Sequence, residues 1–256
     1  MQPLVKKFAD DGCLTFTRLV APVSIEAARA EYERQWEMLA VPGEHEQPGK
    51  NVGNGRRMLP IQLENALLDP LIFANPLVAM ILHEALGPDY LIDNVTCVTA
   101  LPGAEAQHLH ADHPDLFAEM PETRAQTGCY AATLAIPLID LSSETGTTEL
   151  HPGSHLSRDQ ARRERPYVQA GGGYLIDYRL QHRGLANVSA KQRPILYIVY
   201  ARPWFTDTVN FRRWPKINIS AAALDGLRPA DRRLFRRLAA KGALDRTEDE
   251  LMAGGD

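Results

Sequence analysis

The spacing of apolar residues changes character twice along this chain. Leu14 to Val20 reads as a short strand, after which Ile25, Ala28, Tyr32, Trp36 and Leu39 recur at helical spacing with Ser24 as the N-cap. This helix is expected to cover one face of a sheet. Residues 42–60, with Pro42, Gly43, Pro48, Gly49, Gly53, Gly55 and the pair Arg56-Arg57, follow neither period and read as a long loop of the kind that forms lids or binding loops. Asn75-Pro76, then Leu77, Ile81, Leu82 and Ala85, then Gly87-Pro88, specify a short helix with a start and a stop signal.

From Tyr90 onward the pattern is that of strands. Tyr90 to Ala100, Gly128 to Leu138, Thr147 to His151, Tyr167 to Gln169, Gly173 to Asp177 and Arg193 to Ala201 are rich in β-branched and aromatic residues and are punctuated by Gly or Pro. No helices alternate with them to build parallel units. The expectation is a mainly β fold with flanking helices, a closed antiparallel jelly roll that leaves no long sheet edge exposed. A single domain, residues 1–256, would then comprise a barrel core at about 90–203, helical support at 20–87 and a C-terminal extension at 204–256. In that extension Pro229 to Ala240 reads as a helix with Leu234 and Leu238 inward and Arg232, Arg233, Arg236 and Arg237 on a solvated outer face, and Gly254-Gly255-Asp256 as a frayed tail.

Composition narrows the function classes. A net charge of −4 argues against a nucleic-acid groove and against an anionic membrane surface. Cys13, Cys97 and Cys129 are odd in number and lack CxxC spacing, so neither a disulfide framework nor a thiolate zinc site is expected, and a reducing cytoplasm fits. Met1 to Val20 meets Asp10, Asp11 and Gly12 before any long apolar run, so no signal peptide is expected, and no window reaches the length of a membrane span. The partner implied is a small molecule, and the oligomeric state is left open.

The chemistry concentrates in Gln107-His108-Leu109-His110-Ala111-Asp112-His113. On a strand, residues two apart leave the same face, so His110 and Asp112 can bring an imidazole nitrogen and a carboxylate oxygen to one point. His108 shares that parity and is a weaker alternative ligand. A lone His on another strand would complete the site, and His182 is placed to supply it. Two His and one carboxylate leave three coordination positions open, the arrangement of non-haem Fe(II) oxygenases. Arg193 follows eleven residues after His182. A buried Arg beside a metal offers a fork to a carboxylate on a ligand that also chelates the metal.

The order His110-x-Asp112, then Gly146 through Pro152-Gly153-Ser154-His155, then His182-Arg183-Gly184-x-x-Asn187-x-Ser189 and Arg193, resembles the phytanoyl-CoA dioxygenase family of Fe(II)/2-oxoglutarate oxygenases, over roughly residues 8–203. The resemblance implies a double-stranded β-helix, iron held by His110, Asp112 and His182, and O₂ and 2-oxoglutarate as co-substrates with the far carboxylate of 2-oxoglutarate on Arg193. Gln107 and Thr148 match positions that contact the co-substrate in relatives. Related halogenases replace the carboxylate ligand by a small residue, so the presence of Asp112 points to oxidation, most simply hydroxylation, with release of succinate and CO₂. Substrate contacts are expected from residues 51–60 (Arg57 among them), 113–120 and 202–205, and from Asn94, Tyr130 and Trp204. The ordinary alternatives are core packing for Tyr130 and Trp204 and solvation for Arg56 and Arg57. The chain is short and has no extra basic region for a CoA phosphate, so a small natural-product or metabolic intermediate is the expected substrate. The rival from another class is a cupin-like metal-binding isomerase or small-molecule binder without oxygenase activity.

Overall fold

The computed structural model describes residues 2–39, 50–158, 162–211 and 215–238. The elements are α1 (Gln2–Asp11), β1 (Cys13–Phe16), α2 (Pro22–Leu39), β2 (Lys50–Asn51), β3 (Arg56–Leu59), α3 (Pro70–Phe73), α4 (Pro76–Leu86), β4 (Leu91–Ala100), β5 (Ala131–Pro137), β6 (Thr148–Leu150), β7 (Gly173–Asp177), β8 (His182–Gly184), β9 (Arg193–Ala201), α5 (Ala221–Asp225) and α6 (Pro229–Arg232). Seven strands form one sheet in the order β1-β7-β5-β9-β4-β3-β2, and every pairing is antiparallel. The second sheet pairs β6 with β8 and is widened by single bridges, His110 to His182 on one side and Leu150 to Glu164 on the other. The two sheets make a double-stranded β-helix.

The large sheet is covered on one side by the N-terminal helices. Ile25, Ala28 and Tyr32 of α2 and Ile81, Leu82 and Leu86 of α4 pack with Val95 and Cys97 of β4, Leu134 and Ile136 of β5, and Leu196 and Ile198 of β9, all buried. The α4 signals act as read: the Asn75 side chain accepts from the Leu77 N–H at 3.1 Å, and Gly87 closes the helix at a φ of 87°. Along β4 the register shifts between Ile92 and Asn94, a bulge. It lets Ile92 join the helix-facing core while Asn94 turns to the other face, although two residues normally preserve a face.

Several boundaries differ from expectation. The helix expected from Ser24 begins at Pro22, a residue whose fixed φ suits the first turn. The strand at Leu14 stops at Phe16, and Tyr167 to Gln169 forms no strand. Within the expected loop at 42–60, residues 50–59 hold the hairpin β2-β3, while residues 40–49 lie outside the described residues. The helix at Pro229 breaks into α6 and a 3-10 turn at Arg233–Phe235, and the frayed tail falls outside the described residues. The solvated Arg face is only half right. Arg236 donates to the Tyr90 carbonyl at 3.2 Å, and Arg237 pairs with the buried carboxylate of Asp93, which Lys216 also reaches at 3.0 Å. Among the described residues no helix is long and apolar enough to cross a membrane.

Candidate metal centre

Where the two sheets open, a cavity of about 220 Å³ is lined by residues of both, with His110, Asp112 and His182 in its wall. Each offers one ligand atom, and these atoms lie within 4.8 Å of one another. The expected strand through His110 and Asp112 is absent. His110 makes a single bridge, and Asp112 sits in a bend. Their convergence comes from partners instead. Thr133 on β5 donates its hydroxyl to Asp112 Oδ2 at 2.9 Å, and Asn210 Nδ2 donates to the Asp112 carbonyl at 2.8 Å. That leaves Asp112 Oδ1 turned to His182 Nε2, 3.4 Å away.

Both imidazoles are oriented by main-chain carbonyls: His110 Nδ1 lies 2.9 Å from the His108 carbonyl, and His182 Nδ1 lies 2.9 Å from the Leu180 carbonyl. A carbonyl only accepts, so each Nδ1 carries the proton and each Nε2 keeps its lone pair for a metal. The His108 ring itself is exposed, and its carbonyl rather than its imidazole serves the site. Burial resists ionisation of Asp112, yet the neighbouring His182 and His110 and the Thr133 hydrogen bond hold its carboxyl below the usual range. Burial and the adjacent His182 push His110 down, favouring the neutral, ligating form. Two nitrogens and one carboxylate oxygen, each freed by a second partner, fit a divalent cation that takes N and O donors.

Arg193 stands on the same face of β9 as the lining residues Tyr197 and Val199, buried behind the cavity wall rather than in it. Its Nη1 donates to the carbonyls of Thr145 (3.0 Å) and Leu185 (3.1 Å), while its Nε is buried without a partner. A sealed guanidinium with an unused donor is costly unless an acceptor fills the place, and a carboxylate is the acceptor that would also balance its charge. Gln107 lines the cavity with its Oε1 held by the Gly184 N–H at 2.9 Å, and the Thr148 hydroxyl lies 2.5 Å from the Tyr174 hydroxyl.

Local sequence features explain the placement. Gly146 demands glycine, since it has a φ of 75° and a Cβ there would lie 2.2 Å from the Ala186 carbonyl oxygen and 2.5 Å from Arg193 Nη1, while a Cβ on Gly184 would press on Gln107 Oε1 at 2.6 Å and displace that side chain. Asn187 fastens the loop that leads to Arg193, donating to the carbonyls of Ala100 (3.0 Å) and Lys191 (2.7 Å) and accepting from the Ser189 hydroxyl at 2.7 Å. Ser154 accepts from the Gln181 N–H at 2.8 Å, which ties the Pro-Gly-Ser-His turn to the approach to His182.

Among the residues expected to meet a substrate, Asn94 lines the cavity, buried but facing it. Three others do not. Arg57 lies on the face of β3 opposite to Met58, which does line it. Tyr130 is buried in an aromatic cluster with Phe205, their ring centroids 4.6 Å apart, and Trp204 is 63% exposed. Residues 113–120 and 202–205 likewise contribute nothing to the lining, whereas Lys50, Val52, Thr96, Asn210 and Phe211 do. Thr96 was not among the expected contacts, although strand parity marks it, two residues after Asn94. Nothing in the irregular stretch past Trp204 singled out Asn210 or Phe211. Arg56, expected to be solvated, is buried at 2% exposure.

Comparison with known proteins agrees with this geometry. The family described as phytanoyl-CoA dioxygenase (PhyH) matches residues 8–195. Among solved structures, the non-heme alpha ketoglutarate dependent carbocyclase SnoK from nogalamycin biosynthesis is similar at 19% identity and a TM-score of 0.61, covering 87% of this chain and 94% of that one. HygX from Streptomyces hygroscopicus, with nickel and 2-oxoglutarate bound, is similar at 14% identity and a TM-score of 0.59, with 85% and 96% covered. The epimerase SnoN, in complex with Fe3+, alpha ketoglutarate and nogalamycin RO, gives 18% identity and a TM-score of 0.59, with 81% and 86% covered. At such identities the likeness shows a shared fold. With the family match spanning most of its length, this chain belongs to the phytanoyl-CoA dioxygenase family, whose members are non-haem iron, 2-oxoglutarate-dependent enzymes.

Proposed function

We propose that this enzyme hydroxylates a small-molecule substrate, with Fe(II) held by His110, Asp112 and His182, and with 2-oxoglutarate and O₂ as co-substrates. One observation carries the reading: three ligand atoms within 4.8 Å of one another line a cavity, and on the same face of β9 as the lining residues Tyr197 and Val199 stands a buried guanidinium, Arg193, with an unused donor. Bound iron and 2-oxoglutarate supply the two-electron oxidation, with succinate and CO₂ released.

The side chains bind, orient and exclude water. Arg193 offers its free edge to the far carboxylate of the co-substrate, a charge-assisted contact shielded from solvent. Gln107, its Oε1 already held by Gly184, presents its amide donor, and Thr148 presents its hydroxyl, to the same molecule. Asp112 fills the coordination place that a halide would need, which favours oxidation over halogen transfer. Toward the mouth, Asn94 and Asn210 provide amides and Val199 and Phe211 provide apolar surface, so the lining suits a compact substrate with hydrogen-bonding groups on one side. Neighbours of this fold named as a carbocyclase and an epimerase of nogalamycin biosynthesis support a natural-product or metabolic intermediate as the substrate class. Arg57, Tyr130 and Trp204 have no part in this assignment: Arg57 stands on the face of β3 opposite to the lining residue Met58, Tyr130 is packed in the aromatic cluster with Phe205, and Trp204 is exposed.

The test is a panel of small metabolites assayed for substrate-dependent succinate formation, with product masses read for each hit. A gain of one oxygen atom supports hydroxylation. Succinate formed with a product of unchanged mass, or one lacking two hydrogens, would replace hydroxylation by isomerisation or desaturation at the same site.

A further inference from the structure

Two guanidiniums, not one, are buried behind the cavity wall, both bonded to the Leu185 carbonyl next to the lining residue Gly184. Arg56 leaves β3 on the same face as Met58 and is 2% exposed. Its Nη2 donates to the carbonyls of Glu105 (2.8 Å), Gly184 (3.3 Å) and Leu185 (2.7 Å), and its Nε is buried without a partner, as is that of Arg193. Because Arg193 Nη1 donates to the same Leu185 carbonyl, the two donating nitrogens lie within about 6 Å of each other. Among the described residues neither Arg pairs with a carboxylate. Their ionisable neighbours are Tyr174, Tyr197 and each other, and burial together with Arg193 pushes the Arg56 guanidinium down to about 10, which leaves it cationic at neutral pH.

Carbonyl oxygens satisfy donors but do not neutralise charge. Two like charges buried side by side repel, and each would cost less with an anion between them. A scaffold that needed only a brace for residues 105 and 184–185 could use a neutral donor there. Instead the fold keeps a second permanent cation with an unspent N–H, and Gly184 preserves the room for it, since a Cβ there would come within 3.0 Å of Arg56 Nη1.

We infer that Arg56 is a second positioning residue for the co-substrate: with Arg193 it forms a two-cation end that selects a 2-oxo acid bearing a distal carboxylate over one that lacks it. The inference rests on the reading of Arg193 given above. Its test is calorimetry on the full-length protein loaded with Mn(II), titrated with 2-oxoglutarate and with 2-oxobutyrate, which lacks the distal carboxylate. Arg56→Gln should weaken 2-oxoglutarate at least about tenfold while changing 2-oxobutyrate by less than about threefold. Arg56→Lys, which restores the charge without the fork, should recover part of the loss. Equal weakening of both acids, or none for either, would make Arg56 a brace only. Arg193→Gln separates the two claims: if it too spares 2-oxoglutarate, the co-substrate reading itself fails, whereas loss with Arg193→Gln and none with Arg56→Gln overturns only the role of Arg56. Should Arg56→Gln not fold, a crystal structure of the wild-type protein with Mn(II) and 2-oxoglutarate decides. A distal carboxylate within hydrogen-bond reach of both guanidiniums supports the inference, and one that touches Arg193 alone overturns it.

Discussion

Neighbouring residues on β4, β5 and β9 face opposite sides of the large sheet and meet opposite surroundings. Toward the helices stand Val95 and Cys97, Leu134 and Ile136, and Leu196 and Ile198, all in the apolar core. Toward the cavity stand Asn94 and Thr96, Thr133, and Tyr197 and Val199. One face gains stability from burial and close packing, and tolerates no polar atom without a partner. The other accepts polar groups turned into a cavity, where they can orient metal ligands and bound molecules. Packing and site chemistry are thus separated at single-residue spacing, because strand geometry assigns consecutive side chains to different faces.

Substitutions can break that separation or confirm it. The largest effect is expected on the cavity face: His110→Ala should lower metal affinity by more than about a hundredfold, because losing a residue that merely orients a ligand already costs about 10–100-fold, while the melting temperature of the metal-free protein stays nearly unchanged. Equilibrium dialysis and thermal melts check the pair. On the helix face Ile198→Ala should cost about 2–5 kcal/mol in urea unfolding, as buried large-to-small changes do, with metal affinity of the folded protein retained. If Ile198→Ala also released the metal, the two faces would be coupled through the strand.

Thr133→Val, between the two in kind, removes the hydroxyl that holds Asp112 Oδ2. It should weaken metal binding about 10–100-fold with little change in unfolding free energy. Acid sensitivity sharpens the contrast further. Burial opposes ionisation of Asp207, but hydrogen bonds from Tyr178 and Asn210 hold its carboxyl below the usual range. Such a group stabilises the fold above its unfolded value of about 3.9, and that contribution is lost as pH falls through the lower native value. Urea melts should therefore show wild-type stability falling below about pH 4, with a flatter acid limb and lower neutral-pH stability in Asp207→Asn. The smallest effect is expected at Trp204, which is 63% exposed and outside the cavity. Trp204→Ala should stay within about 0.5 kcal/mol of wild type and leave 2-oxoglutarate binding unaltered.

Much of this arrangement was legible in the chain because the face rule is local. β7 and β9 begin and end where their apolar runs do, and α4 is bounded by its own cap signals. His110, Asp112 and His182 were joined correctly, but for a reason that does not hold: the expected strand is a bend, and Thr133 and Asn210 supply the convergence. His182 does lie on a strand, as its chemistry suggested, but the bounds of β8 were not legible because His182-Arg183-Gly184 has no strand preference of its own and is ordered by pairing with β6. Arg56 reads as a surface charge, since the main-chain carbonyls that receive it come from positions 105, 184 and 185 and leave no mark on its neighbours in sequence. Asn210 and Phe211 reach the cavity from an irregular stretch fixed by Asp207, and tertiary contacts of that kind have no periodic signature.

If His110, Asp112 and His182 hold iron and Arg193 receives the co-substrate, anaerobic addition of Fe(II) and then 2-oxoglutarate to the full-length protein should produce a visible metal-to-ligand charge-transfer band. The band should be absent in His110→Ala and should need a much higher 2-oxoglutarate concentration in Arg193→Ala. Wild-type protein with iron confirmed bound and no band would overturn this assignment.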